Sequence, residues 1–128
     1  MKVAPSKVTF HDELDITSTT AQNSNGFEMT DYERLALDVE ITKTGSPSRI
    51  RLYIQTRMDS DDTWKTYSVG YAQAMYWNAN AVGSGLNALI PLPDDLPEGQ
   101  IRCVAAAEGT VDGSNYWTIT VKGLMYAK

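Results

Sequence analysis

Cysteine and histidine are nearly absent: Cys103 and His11 are the only ones in 128 residues. A lone cysteine excludes an intramolecular disulfide. Cys103 sits in the apolar run Ile101-Arg102-Cys103-Val104-Ala105, so a buried structural thiol is expected rather than a reactive one. His11 stands beside Asp12 and Glu13 and reads as a surface turn residue, not a base or a ligand. Serines are plentiful, but none lies in a nucleophile-elbow context such as G-x-S-x-G. Carboxylates pair only as local runs, Asp12/Glu13, Asp61/Asp62 and Asp94/Asp95, the pattern of solvated turns. No enzyme activity and no cofactor are expected. No apolar run approaches the ~20 residues of a membrane helix. Met1-Lys2-Val3-Ala4-Pro5 carries no apolar signal-peptide core, so synthesis in a host cytoplasm is expected, with no membrane partner. Basic residues are in deficit as well. Eleven Lys and Arg face sixteen Asp and Glu, and the net charge of −5 disfavours nucleic acid as a ligand.

What is present is alternation. In Glu33–Arg57, Leu35, Leu37, Val39 and Ile41 alternate with Ala36, Asp38, Glu40 and Thr42. After Lys43-Thr44-Gly45-Ser46-Pro47-Ser48 the period of two resumes, with Ile50, Leu52 and Ile54 against Arg49, Arg51, Tyr53 and Gln55. A period of two marks a strand with one buried face. Folded about Gly45/Ser46, the runs match as a β-hairpin: Ile41 opposite Ile50, Val39 opposite Leu52, Leu37 opposite Ile54, and Glu40 opposite Arg51 on the other face.

Shorter strand candidates fill the rest. Lys7–Phe10 and Leu14–Thr17 come first, then the small polar stretch Thr17–Gly26, a surface loop or edge segment. Asp59–Trp64 is a turn into a strand carrying Tyr67 and Val69. Leu86–Pro91 is a strand whose Pro91-Leu92-Pro93 ending suits an edge. Gln100–Ala106 reads as a central strand. Gly109–Asn115 reads as a hairpin loop, and Tyr116–Lys122 as a strand that Leu124 and Tyr126 extend past Gly123. A helix-like piece, Ala72–Tyr76, spans about one turn. Eight or nine short strands with turns about every ten residues predict an all-β protein: a single antiparallel β-sandwich domain over 1–128, jelly-roll or immunoglobulin-like.

Surface features suggest contacts. Gly70–Gly85 is irregular and rich in aromatics. Tyr71, Met75, Tyr76, Trp77, Asn78 and Asn80 are the candidate protein-interface residues. Tyr71, Tyr76 and Trp77 also have the chemistry to stack on a sugar. Arg49, Arg51 and Arg57 share a strand face with Tyr53, which reads as an ion-paired outer face, with Glu40 and Asp38 across from it, or as a contact face for another protein. Asp59, Asp61 and Asp62 have oxygen ligands of the kind calcium takes, but their loop lacks the EF-hand glycine and glutamate. A plain turn is expected there, and no metal site.

Three stretches resemble small β-sandwich virion proteins of tailed bacteriophages, of the capsid cement or decoration type: Ile16–Met29, Tyr32–Glu40 and Leu52–Trp64, with Tyr116–Leu124 as a matching last strand. The likeness covers about two thirds of the chain and departs in Gly70–Gly85. It implies a single β-sandwich that acts through its surfaces, so no functional residue carries over. The function it implies is a virion structural protein that binds the capsid exterior. The partner would be the major capsid protein or another virion protein, and the chain a homo-oligomer, with a trimer favoured. The alternatives are a carbohydrate-binding sandwich of a tail or fibre apparatus, and a head–tail joining or tail-tube protein.

Overall fold

A computed structural model describes residues 4–67, 75–92 and 99–127. The strands are β1 (Ser6–Ile16), β2 (Gln22–Asn23), β3 (Phe27–Glu28), β4 (Tyr32–Thr44), β5 (Arg49–Arg57), β6 (Lys65–Thr66), β7 (Tyr76–Asn78), β8 (Leu86–Pro91), β9 (Gln100–Glu108) and β10 (Tyr116–Ala127). One helical turn, α1 (Ala79–Val82), precedes β8. The first sheet has the order β1-β10-β4-β8. The second has β2 and β3 on one side of β9, and β5 on its other side, with β6 and β7 both pairing β5. All pairings are antiparallel. Counting β2 with β3, and β6 with β7, as two broken strands gives eight strand positions in two four-stranded sheets. The chain passes back and forth between the sheets, as in a jelly roll. The expected all-β antiparallel sandwich is therefore the observed fold, in its jelly-roll form.

The central hairpin is not formed. β4 pairs with β10 and β8, while β5 pairs with β9, β6 and β7. The two strands lie in different sheets, and residues 45–48 carry the chain across the sandwich. Both runs still point their apolar rows inward: Leu37, Val39, Ile41, Ile50 and Leu52 are fully buried, and Ile54 nearly so. A mirror-symmetric pattern about a turn satisfies a hairpin and an arch over a core equally well. Gly109–Asn115 is likewise a crossing connection, not a hairpin loop, because β9 and β10 lie in different sheets. The two crossings are tied together. Ser48 N donates to Thr110 O at 2.9 Å, Thr110 N to Ser48 Oγ at 2.8 Å, and Ser46 N to Asn115 Oδ1 at 2.9 Å. Gly45 has φ +69°, and a Cβ there would collide with Ser114 O and Asn115 Oδ1, so glycine is required where these loops meet.

Other elements follow the alternation closely. β8 is an edge strand ending at Pro91, and β9 is central. β10 continues past Gly123, with Gly123 and Met125 on the inward face rather than Leu124 and Tyr126. The two N-terminal candidates are one strand, β1, with irregular register between Thr9 and Leu14. Thr17–Gly26 contains β2, a two-residue ladder onto β9. The strand after Trp64 is β6; Val69 lies outside the described residues. Of the expected helical piece, residues 72–74 lie outside the described residues and Tyr76 is in β7, so the helical turn falls later, at 79–82. Asn78 caps it by accepting from Ala81 N at 2.8 Å.

One core joins the sheets. β4 and β10 supply Leu35, Leu37, Val39, Ile41, Trp117, Ile119, Val121 and Met125; β5 and β9 supply Ile50, Leu52, Ile54, Ile101, Cys103, Ala105 and Ala107. Burying each large side chain contributes about 1.5–3 kcal/mol. Trp117, at 0 % exposure, also satisfies its indole N–H by donating to Arg49 O at 3.1 Å, a bond between the sheets. Cys103 is fully buried, as expected, and burial pushes its thiol pKa up to about 12.

His11 corrects the sequence reading. It is 6 % exposed, not a surface residue. The irregular register of β1 turns its ring inward, where Nε2 donates to Cys103 O at 3.2 Å. Burial lowers its pKa, and the bond to the carbonyl only partly opposes this.

Candidate functional site

Alternation also fixes what the sheets show to the outside. On β5 the outward residues are Arg49, Arg51, Tyr53, Gln55 and Arg57; their partners on β9 are Glu108, Ala106, Val104, Arg102 and Gln100. β7 adds Tyr76 beside Arg51, and β3 adds Glu28 beside Gln100. The outer face of the second sheet therefore collects four arginines with the rings of Tyr53, Tyr76 and Trp64. Val104 points outward yet is fully buried, so this polar and aromatic layer closes over the sheet beneath it.

The layer has two ends with different electrostatics. At one, Arg49 Nη2 lies 3.2 Å from Glu108 Oε2. Arg51 Nη1 donates to Tyr76 Oη at 3.0 Å, and Tyr76 Oη donates to Glu108 Oε1 at 3.2 Å. The Arg51 guanidinium carbon is 4.7 Å from the Tyr53 ring centre and 5.6 Å from that of Tyr76. Its Nε is buried without an acceptor, so ring contacts stand in for part of its hydration.

At the other end, Arg57 and Arg102 both stack on Trp64, their guanidinium carbons 4.3 and 4.5 Å from its ring centre. Arg57 Nε donates to Gln100 Oε1 at 2.7 Å, and Arg102 Nε to Gln55 Oε1 at 2.8 Å. Burial first, and the adjacent Arg57 charge second, hold the Arg102 guanidinium below its ordinary value. Trp64 reaches this position because the turn from residue 58 folds back over the sheet. Its Cη2 and Cζ2 approach the site of a Cβ on Gly26 to 3.1 and 3.2 Å, and a side chain there would have to displace the indole.

The residues singled out from sequence do not form one surface. Met75 is 2 % exposed and belongs to the core. Trp77, opposite the inward Ile50, packs against that core. Tyr76 is on the arginine face, Asn78 is the helix cap and Asn80 is exposed. Tyr71 lies outside the described residues. Neutralisation of the arginine row by Glu40 and Asp38 is also overturned. Those residues sit on β4, opposite Thr120 and Lys122 of β10 in the other sheet, and Glu108 does the pairing instead. Arg102 was legible in the alternation of β9. Trp64 was not, because only the folded turn brings it over the sheet.

In the Asp59–Asp62 turn, Asp61 N donates to Asp59 Oδ1 at 2.9 Å and Asp59 N to Asp62 Oδ2 at 3.2 Å. These carboxylates hold the turn's own backbone. Among the described residues, no group of three or more His, Cys, Asp or Glu side chains converges in a way that would hold a metal. A groove of about 280 Å³ lies at the β8 edge of the first sheet, lined by Arg34, Leu35, Ala36, Leu89, Pro91, Leu92 and Tyr126.

The two four-stranded antiparallel sheets define a jelly roll, an architecture found in viral capsid and lectin domains among others. No protein-family profile and no curated protein sequence matches the chain. Solved structures do. The SPBc2 prophage-derived protein YomS is 18 % identical with a TM-score of 0.51, over 99 % of this chain and 98 % of that one. A chain of infectious bursal disease virus, Gt strain, is 11 % identical with a TM-score of 0.57, and 98 % of this chain spans 33 % of it. A carbohydrate-binding module specific for non-crystalline cellulose, CBM28, is 10 % identical with a TM-score of 0.53, over 97 % of this chain and 74 % of that one. At these identities the likeness establishes the fold.

Proposed function

We propose that this chain is a non-enzymatic structural protein of a phage virion, a cement protein that binds the capsid exterior and reinforces it. The observation that carries the reading is the match to a prophage-derived protein along nearly the whole of both chains. The side chains support it. The single histidine is buried and bonded to a carbonyl, and the single thiol is buried with its pKa raised to about 12, so neither is poised for catalysis. The most developed surface is a layer of arginine, tyrosine and tryptophan, the residue types that dominate binding energy at protein interfaces. In this reading the chain is made in the host cytoplasm and assembles as a homo-oligomer, a trimer, against the major capsid protein. Each contact is weak, and an oligomer seated on several capsid subunits holds them through effective concentration.

An antibody against the purified chain, applied to virions purified from the host that carries the gene, tests the assignment. Decoration of intact heads is expected; a chain found only in the particle-free lysate overturns it. Light-scattering chromatography over a concentration series tests the trimer. The likeness to a cellulose-specific module favours a second reading, a carbohydrate-binding sandwich. That reading requires glycan binding that is lost in Trp64→Ala or Tyr76→Ala with the fold intact. A head–tail joining or tail-tube role would instead show as rings of higher order.

A further inference from the structure

We propose that the Arg57–Trp64–Arg102 cluster is a docking site for an acidic segment of a partner protein, taken through its aspartate and glutamate carboxylates. The inference deepens the structural-protein reading and rests on it: the outer face of the second sheet is the side turned toward the virion partner.

The argument begins with charge. Two guanidinium groups are pinned to one indole, where they repel each other. The ring offsets part of that repulsion, but among the described residues no carboxylate pairs with either. Arg57 donates to Gln100 Oε1 and, at 3.4 Å, to Ser60 O; Arg102 donates to Gln55 Oε1. Glu28, in the same row, is occupied by Gln100 Nε2 at 3.0 Å and by the Thr30 hydroxyl at 3.4 Å. The other end of the face provides the control: Glu108 serves both Arg49 and the Arg51–Tyr76 pair. Among the described residues, then, a carboxylate is paired with an arginine at one end of the face only; at the other, the nearby Asp59 and Asp62 carboxylates accept from the backbone of their own turn.

Geometry then selects the ligand. The two glutamine carbonyl oxygens hold the Nε edges, so the terminal nitrogens are oriented before anything binds. A held guanidinium presents a fork that fits a carboxylate bidentately. An acidic sugar also carries carboxylates, but the two guanidinium groups held over the Trp64 ring at 4.3 and 4.5 Å favour a carboxylate taken by the forks over a sugar taken by the ring. Arginine with tryptophan and tyrosine, rather than lysine, is the composition of protein-binding hot spots.

The test is side-chain NMR of the arginine Nε–H groups in the full chain, titrated separately with a glutamate-rich peptide, an oligogalacturonate of matched charge and inorganic phosphate. The peptide is expected to shift the Arg57 and Arg102 signals and leave Arg49 in place. Its affinity should fall about tenfold or more in Arg57→Gln/Arg102→Gln, with a melting curve as the check on folding. The wild-type spectra keep the test valid even if that variant unfolds. Tighter binding of the oligogalacturonate overturns the proposal in favour of an acidic glycan. Competition by phosphate as effective as by the peptide reduces the cluster to a simple ion site. No shift at either arginine removes the site altogether. If virions still bind the double variant fully, the docking site is refuted while the structural-protein reading stands.

Discussion

The two sheets are alike on their inner faces and different on their outer ones. Inside, both are apolar and contribute to one core. Outside, the first sheet shows Thr118, Thr120, Lys122, Thr42, Asp38 and Glu40 across β10 and β4, with exposed Leu89 on β8 beside them, and no stacked cation–ring layer among the described residues. The second shows stacked arginines, tyrosines and a tryptophan dense enough to bury Val104. The fold requires only the inner half of each strand. The outer half is free to vary, and on the second sheet it is filled with bulky and mutually bonded side chains.

The largest expected effect breaks what the sheets share. Trp117→Ala empties the centre of the core and leaves Arg49 O without its donor, so a loss of about 3–5 kcal/mol is expected. Denaturant unfolding measures it, and a loss below about 1 kcal/mol would contradict a single core joining both sheets.

A narrower lesion acts on the first sheet. A Cβ on Gly123 would stand 2.6 Å from Phe10 Cε2, 3.0 Å from Val8 Cγ2 and 3.2 Å from Leu35 Cδ1. Gly123→Ala therefore overpacks the seam between β1, β10 and β4, and about 1–3 kcal/mol is expected. Melting should move while the second sheet's arginine signals stay in place.

His11 links the sheets, since its ring on β1 donates to a carbonyl of β9. Its folded pKa lies below the ordinary 6.5. The unfolded chain therefore takes up a proton before the folded one does. The stability that His11 supplies is complete above pH 6.5 and declines as pH falls from there toward the depressed folded value. Unfolding followed across that window should show the decline, and His11→Leu should flatten it; an unchanged slope in the variant would rule out His11 as the cause.

The smallest effects sharpen the contrast between the outer faces. A double-mutant cycle of Arg57→Ala with Trp64→Ala should give a coupling of about 0.5–1 kcal/mol. Thr118→Ala, which removes the exposed bond to Asp15 Oδ1 at 2.6 Å, should stay within about 0.5 kcal/mol. Equal values for the two would mean that the arginine layer is ordinary surface.

Alternation in the chain was enough to mark the longer strands, the inward rows of β4 and β5, the buried thiol and the all-β sandwich, because a period of two states which side of a strand faces water. The short β2 and β7 and the inward His11 lay outside its reach. The same pattern placed Arg49, Arg51, Tyr53 and Arg57 on one face before any fold was known. It did not choose between pairing β4 with β5 and arching them over a core, because both arrangements bury the same residues. Only the tertiary structure decided that. The crossing put Asp38 and Glu40 in the far sheet and left Glu108 to pair with Arg49; the irregular part of β1 turned His11 inward, and the turn after β5 laid Trp64 across Arg57 and Arg102. The pairings of Arg49 with Glu108, of His11 with Cys103 and of Arg102 with Trp64 join residues distant in sequence, and strand order leaves no trace in local periodicity.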